Sequence, residues 1–77
     1  MALVTGFVEG SAKARVHPTS VECEWQVVLG PRGSLVQLTT FGSARRQMPG
    51  KASQTFQLDR ESAAELVEIL RRTFPGL

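Results

Sequence analysis

The residues of this chain best suited to chemistry with a ligand are three cations in one short stretch, Arg45, Arg46 and Lys51. They lie beside Gln47 and between or next to the glycines Gly42 and Gly50. Guanidinium and ammonium groups on a glycine-hinged arm can grip phosphate oxygens, a contact that positions a nucleic acid without reading its sequence. Phe41 stands at the root of the same stretch and offers a ring on which a base can stack. Net charge is only +2, so distribution matters more than total. From Trp25 to Leu58 the chain carries Arg32, Arg45, Arg46 and Lys51 and no acid, whereas acids cluster at Glu22 and Glu24 and again at Asp59, Glu61, Glu65 and Glu68. The plainer alternatives are a solvated loop that keeps the protein soluble and a Phe41 that packs on the sheet edge against the N-terminal segment.

Other chemistries find little support. One histidine and one cysteine, His17 and Cys23, fall short of any zinc ligand set, and no carboxylate cluster has calcium-loop spacing. His17, before Pro18, reads as exposed or at a strand edge, and Cys23 as a core residue packed among Val21 and Trp25. There is no phosphate-cradling glycine motif, no nucleophile elbow and no plausible catalytic set around the single histidine. The expectation is therefore a binding module with no metal and no cofactor, not an enzyme.

The elements that must position these residues follow from periodicity. Seventy-seven residues make one domain, 1–77, with 42 % apolar and 21 % charged residues, the balance of a folded chain. A chain this short buries only about 60 % of its unfolded surface, so a partner subunit is the expected source of extra stability. A lone cysteine cannot make an internal disulfide, which fits a reducing compartment. No apolar run reaches the roughly 18 residues of a membrane span, and Met1 to Val8 lacks the features of a signal peptide. Cytoplasm is the default localisation.

The last element is the clearest. Asp59 can cap a helix in which Ala63, Leu66, Val67, Leu70 and Phe74 recur at helical spacing and Ile69 widens the stripe. Acids early and Arg71 and Arg72 late suit the helix dipole, and Pro75-Gly76 ends it. Upstream, Val21, Cys23, Trp25 and Val27 alternate with Glu22, Glu24 and Gln26, as in a half-buried strand. After the turn Gly30-Pro31-Arg32-Gly33 comes the β-rich run Leu35 to Phe41. Pairing Leu29 with Ser34 sets Val27 against Val36 and Trp25 against Leu38 on one apolar face. Gln26 then meets Gln37, Glu24 meets Thr39 and Glu22 meets Phe41 on the other. This register places Trp25 in the core and Phe41 on the opposite face. A third strand spans about Ser53 to Leu58, with Phe56 and Leu58 inward and Thr55 and Gln57 outward. The long connection from Gly42 to Ala52 is of the kind that often carries function. Leu3 to Val8 and Lys13 to His17 suggest a further hairpin around Glu9-Gly10-Ser11. The fold class expected is α+β: a curved antiparallel sheet of about four strands followed by one C-terminal amphipathic helix.

This order of elements, with Met48-Pro49-Gly50 and Lys51, then Thr55-Phe56-Gln57-Leu58-Asp59 and the helix Glu61 to Leu70, resembles the positive cofactor four family. That family comprises transcriptional coactivators and their bacterial and phage relatives. The resemblance covers residues 21–74. It implies a sheet-and-helix protomer that dimerises partly through helices and a channel for single-stranded DNA bound with little sequence preference. By position, Phe41 looks like the family's aromatic at the strand end, and Arg45, Arg46 and Lys51 look like its loop cations. The sequence departs from the pattern at Gly42, where a second aromatic is common, in its fewer loop cations, and in Glu22 and Glu24. The expected function is thus a homodimeric single-stranded nucleic-acid (DNA) binding protein of coactivator-like type in transcription, replication or repair, with RNA an open possibility. The alternative is a protein–protein interaction or assembly module using the same sheet and helix.

Overall fold

The computed structural model describes residues 1–42 and 52–77. Four strands, β1 (Ala2–Val4), β2 (Cys23–Gly30), β3 (Gly33–Phe41) and β4 (Ala52–Leu58), are followed by one helix, α1 (Arg60–Thr73). They form one sheet of order β1-β4-β3-β2, and the helix follows β4 at its C-terminal end.

The hairpin β2–β3 closes as its residues dictate. Gly30 pairs with Gly33 around the two turn residues Pro31 and Arg32. Proline presets the backbone angle of the first turn position, and a type I turn favours glycine at its fourth. Gly33 takes φ of +129°, while no residue other than glycine has positive φ among those described. The register is the expected one: Leu29 opposite Ser34, Val27 opposite Val36, Gln26 opposite Gln37, Trp25 opposite Leu38 and Glu24 opposite Thr39. The strand pairs run to Cys23 opposite Thr40, so Glu22 lies just before β2.

Antiparallel pairing of β3 with β4 and parallel pairing of β4 with β1 extend these rows across the sheet. One row reads Val27, Val36, Leu58, Val4; the next on the same face reads Trp25, Leu38, Phe56, Ala2. Directly opposite residues share a face, so this face is apolar across all four strands.

Burial along it is uneven. Leu58 is 5 % exposed, Val4 and Val36 are half-buried, and Val27 is 57 % exposed. Trp25, expected in the core, is 68 % exposed within the chain, and Cys23 is exposed as well. The face assignment of these residues holds; their burial does not. The reason is width. A helix about 10–12 Å across covers roughly two strands spaced about 4.8 Å apart. The helix packs on β4, which leaves the β2 side of the face uncovered.

The N-terminal hairpin is also corrected. Only Ala2–Val4 is a strand; it lies parallel to β4, and residues 5–22 contain no strand. The free edge of β4 accepts β1 because Ala2 and Val4 then fall in line with Phe56 and Leu58 on the apolar face. Farther on, the Phe7 N–H donates to Glu65 Oε1 at 2.9 Å, which ties this segment to the helix.

The helix begins at a reciprocal cap. The Ser62 N–H donates to Asp59 Oδ1 at 2.9 Å, and the Asp59 N–H donates to Ser62 Oγ at 3.1 Å. Two amides that no helical carbonyl can reach are thereby satisfied. Ser62, only 2 % exposed, sits in the packed junction of strand and helix. The Ser62 backbone N–H, followed by its hydroxyl, holds the Asp59 carboxyl below the ordinary carboxylate value. At the other end, the Phe74 N–H reaches the Leu70 carbonyl at 2.8 Å and Gly76 takes φ of +91°. Phe74, expected in the apolar stripe, is exposed, as is Val67.

Candidate nucleic-acid interface

Alternation sends every second residue of the strands to the face opposite Leu58. There Gln26, Gln37 and Gln57 stand in one row across β2, β3 and β4, and Glu24, Thr39 and Thr55 in the next. The Gln57 amide donates to Gln37 Oε1 at 2.9 Å, and the Thr55 hydroxyl lies 3.5 Å from Thr39 Oγ1. Thr39, on an interior strand between Glu24 and Thr55, is buried. A side-chain amide carries two donors and an acceptor with two lone pairs, so the glutamine pair keeps hydrogen-bonding capacity beyond its mutual bond. These two rows are polar, uncharged at their centre and acidic at the β2 side through Glu24, with Val28 and Leu35 beyond them on the same face and Leu3 beside Gln57.

Phe41 is the last residue of β3, two positions beyond Thr39. It is half-buried at the end of β3, and its backbone partner is Ala52. The register shifts between Thr40 and Phe41, so the pairing skips from Gln54 to Ala52. Such an irregularity marks the place where a strand re-aims its side chains or stops pairing. Here it stands where the β3–β4 connection leaves and rejoins the sheet. The cations expected to act with Phe41, namely Arg45, Arg46 and Lys51, lie outside the described residues. Arg32 belongs to the other end: it sits in the β2–β3 turn, about 27 Å along β3 from Phe41. It joins no cluster with Phe41.

No protein-family model, curated protein or solved structure matches this chain.

Other candidate chemistries can be placed. His17 is exposed, and its Nδ1 accepts a 3.1 Å hydrogen bond from the Thr19 N–H in a local turn. Among the described residues no group of His, Cys, Asp and Glu is arranged to hold a metal ion, and no helix is long and apolar enough to cross a membrane.

Sequence reasoning named Phe41 but passed over the glutamine row. The signal was present: the hairpin register already set Gln26 against Gln37, and Gln57 pointed outward in the third strand. Three amides side by side differ from the alternating charges of an ordinary solvated sheet face. They suit a surface that meets a ligand with both donors and acceptors.

Proposed function

We propose that this protein binds single-stranded nucleic acid, DNA in the first instance, with little sequence preference, and does so as a homodimer. The observation that carries the reading is the position of Phe41. It lies at the end of β3, the strand end from which the segment with Arg45, Arg46 and Lys51 departs. Stacking on an aromatic ring beside phosphate-binding cations is how proteins hold single strands without reading bases. The glutamine and threonine rows extend the surface with neutral hydrogen-bonding groups. The resemblance to the positive cofactor four family supports the same assignment, with action in transcription, replication or repair.

The test is a fluorescence-anisotropy titration with labelled single-stranded DNA, single-stranded RNA and duplex DNA at two salt concentrations. The expected result is saturable binding to the single strand, weaker binding to duplex, and affinity that falls with salt. Absence of binding to any single strand at low salt refutes the reading.

A second reading, a protein-interaction or assembly module with no nucleic-acid ligand, draws on one specific observation. Trp25, Val27 and Leu29 are exposed along a single strand, next to the acidic Glu24 on the reverse face. In that case the titration is flat and the protein instead retains a protein partner.

A further inference from the structure

The strand order makes β2 an edge, and among the described residues Glu24 is the one charge on it. It is eight residues long, contains no proline, lysine or arginine, and pairs with β3 without a bulge. Natural sheets blunt exposed edges with those devices, because a long free edge is a template for another strand. Among the described residues, no backbone hydrogen bond from the turns or connecting segments reaches β2. On its apolar face Cys23, Trp25, Val27 and Leu29 are all exposed, Leu29 to 85 %.

The chain as a whole exposes more surface than a self-sufficient fold. Its accessible area is 7009 Å², whereas a compact monomer of this mass exposes about 4,600 Å². Its radius of gyration is 14.5 Å, against about 11.5 Å for a compact chain of this length. The surplus area is roughly 2,400 Å². That total is larger than the roughly 800 Å² per partner of a standard interface.

We infer that β2 pairs antiparallel with β2 of a second copy, about a two-fold axis at Gln26, joining the two sheets into one of eight strands. A two-fold contact must be self-complementary, and the charges restrict the register. Centring the pair on Glu24 sets two carboxylates directly opposite each other, and centring it on Cys23 sets Glu22 against Glu24; like charges so placed are destabilising. Centring on Gln26 sets each Glu24 against Val28, Trp25 against Val27 and Cys23 against Leu29. Each aromatic then meets a β-branched residue, a favoured cross-strand pair. It also pairs Cys23 to Leu29 in full, nearly the whole of β2. The Trp25 rings of the two copies lie diagonally across the axis and cover the part of the face that α1 does not reach.

This inference rests on the homodimer part of the proposed function and not on its ligand, and its test uses no nucleic acid. Gln26 and Glu24 are exposed, so cysteines at either position leave the fold intact. In a Cys23→Ser background, Gln26→Cys brings two thiols into directly opposite positions. Their Cα atoms are then about 4.5–5.5 Å apart, within the span a disulfide bridges. The equivalent Glu24→Cys thiols lie about 14 Å apart. Mild oxidation followed by non-reducing electrophoresis should give a covalent dimer for Gln26→Cys and none for Glu24→Cys or Val67→Cys. Light scattering of the unmodified protein at micromolar concentration should give twice the chain mass. A monomer by light scattering overturns the inference, and so does a dimer that cross-links at Val67→Cys or Glu24→Cys instead. As a second arm, Val27→Lys places a charge on the edge and should shift the mass to that of one chain while circular dichroism still reports sheet and helix. A Val27→Lys protein that is folded and still dimeric also overturns it.

Discussion

Replacing Leu58 with Ala tests whether the fold is held at β4, and its size can be worked from the apolar row. Leu58 is the buried apolar residue among those described, 5 % exposed between Val4 and Val36 and one residue before the Asp59 cap. Truncating a buried leucine costs about 2–5 kcal/mol, the spread reflecting how far the site can collapse. Val4 and Val36 are only half-buried, so they can close in, and the lower half of that range, about 2–3 kcal/mol, is expected. A domain of this length has about 4–12 kcal/mol in total. The loss is therefore a large share of stability and should lower the urea midpoint with little change in slope. Val27→Ala is the comparison in the same row. At 57 % exposure, losing two methyl carbons less than half buried costs about 0.7 kcal/mol in the isolated chain. If β2 is covered by a second copy, the loss should exceed 1.5 kcal/mol, at about 0.8 per buried carbon, and unfolding should depend on protein concentration. Urea denaturation of both variants at two concentrations reads all of this. A Leu58→Ala variant within 1 kcal/mol of the parent refutes the row as the centre of the core.

Five further outcomes are expected. Arg45→Ala with Arg46→Ala should flatten the salt dependence of single-strand binding: with about six loop cations per dimer the slope of log K against log salt is roughly −4, and removing four leaves about −1.4. Phe41→Ala should instead shift the whole line by about 1–3 kcal/mol per stacked base with the slope unchanged; titrations across a salt series tell the two apart. Glu24→Gln should tighten binding, most at low salt, because it removes a negative charge from the face proposed to meet phosphate; unchanged affinity would put the ligand elsewhere. The Asp59 carboxyl is held below its ordinary value of 3.8, so its contribution to stability is present above that value and is lost as pH falls through the lower folded value; Asp59→Asn keeps the cap and should remove this part of the acid dependence in a pH series of thermal melts. Gly33→Ala should cost about 1–3 kcal/mol, since φ of +129° strains any side chain even with open space around it, whereas Gly10→Ala, with nothing within 4 Å and no positive φ, should be near neutral in the same melts.

Where two independent patterns constrained each other, the fold was legible. The alternation of β2 and that of β3 agreed under a single register across Gly30-Pro31-Arg32-Gly33, and the pairing is the one expected, from Leu29 opposite Ser34 to Glu24 opposite Thr39. The helix was equally readable because Asp59, the apolar spacing and the late arginines all pointed to one start and one direction. The N-terminus had no such second constraint. Leu3 to Val8 is apolar enough for a hairpin strand, but its choice of partner rests on the free edge of β4, a tertiary fact with no local signature. Partner choice in sheets is set by who is left unpaired, and sequence distance does not report that. For the candidate site, the expected pairing of Phe41 with Glu22 does not form, because β2 begins at Cys23 and the β3–β4 register shifts at Phe41; the loop cations fall outside the described residues.

Trp25 separates two questions that alternation tends to merge: which face a residue occupies, and whether that face is covered. Period-two patterning answers the first, because a one-residue slip would invert every side chain of the strand. The second depends on how much covering mass the chain owns, and one helix is too narrow for four strands. A strand that alternates Cys23, Trp25, Val27 and Leu29 against Glu24, Gln26 and Val28, yet leaves its apolar members exposed, carries the pattern of an interior strand at an edge position. Edge pairing about Gln26 resolves that mismatch, and it also sets the geometry of any shared ligand path. The two Phe41 ends would lie offset in opposite directions from the axis and about 30 Å apart. Between them would stand Gln26, Gln37 and both copies of Glu24. A single strand held by both basic segments must therefore cross a neutral amide floor and pass an acidic pair. The amides meet bases and sugars without charge, while the acids oppose phosphate and limit affinity near the axis. On this arrangement the glutamates that count against nucleic-acid binding on one chain become a local feature of the path, felt at its midpoint and not at the loops that would carry the grip.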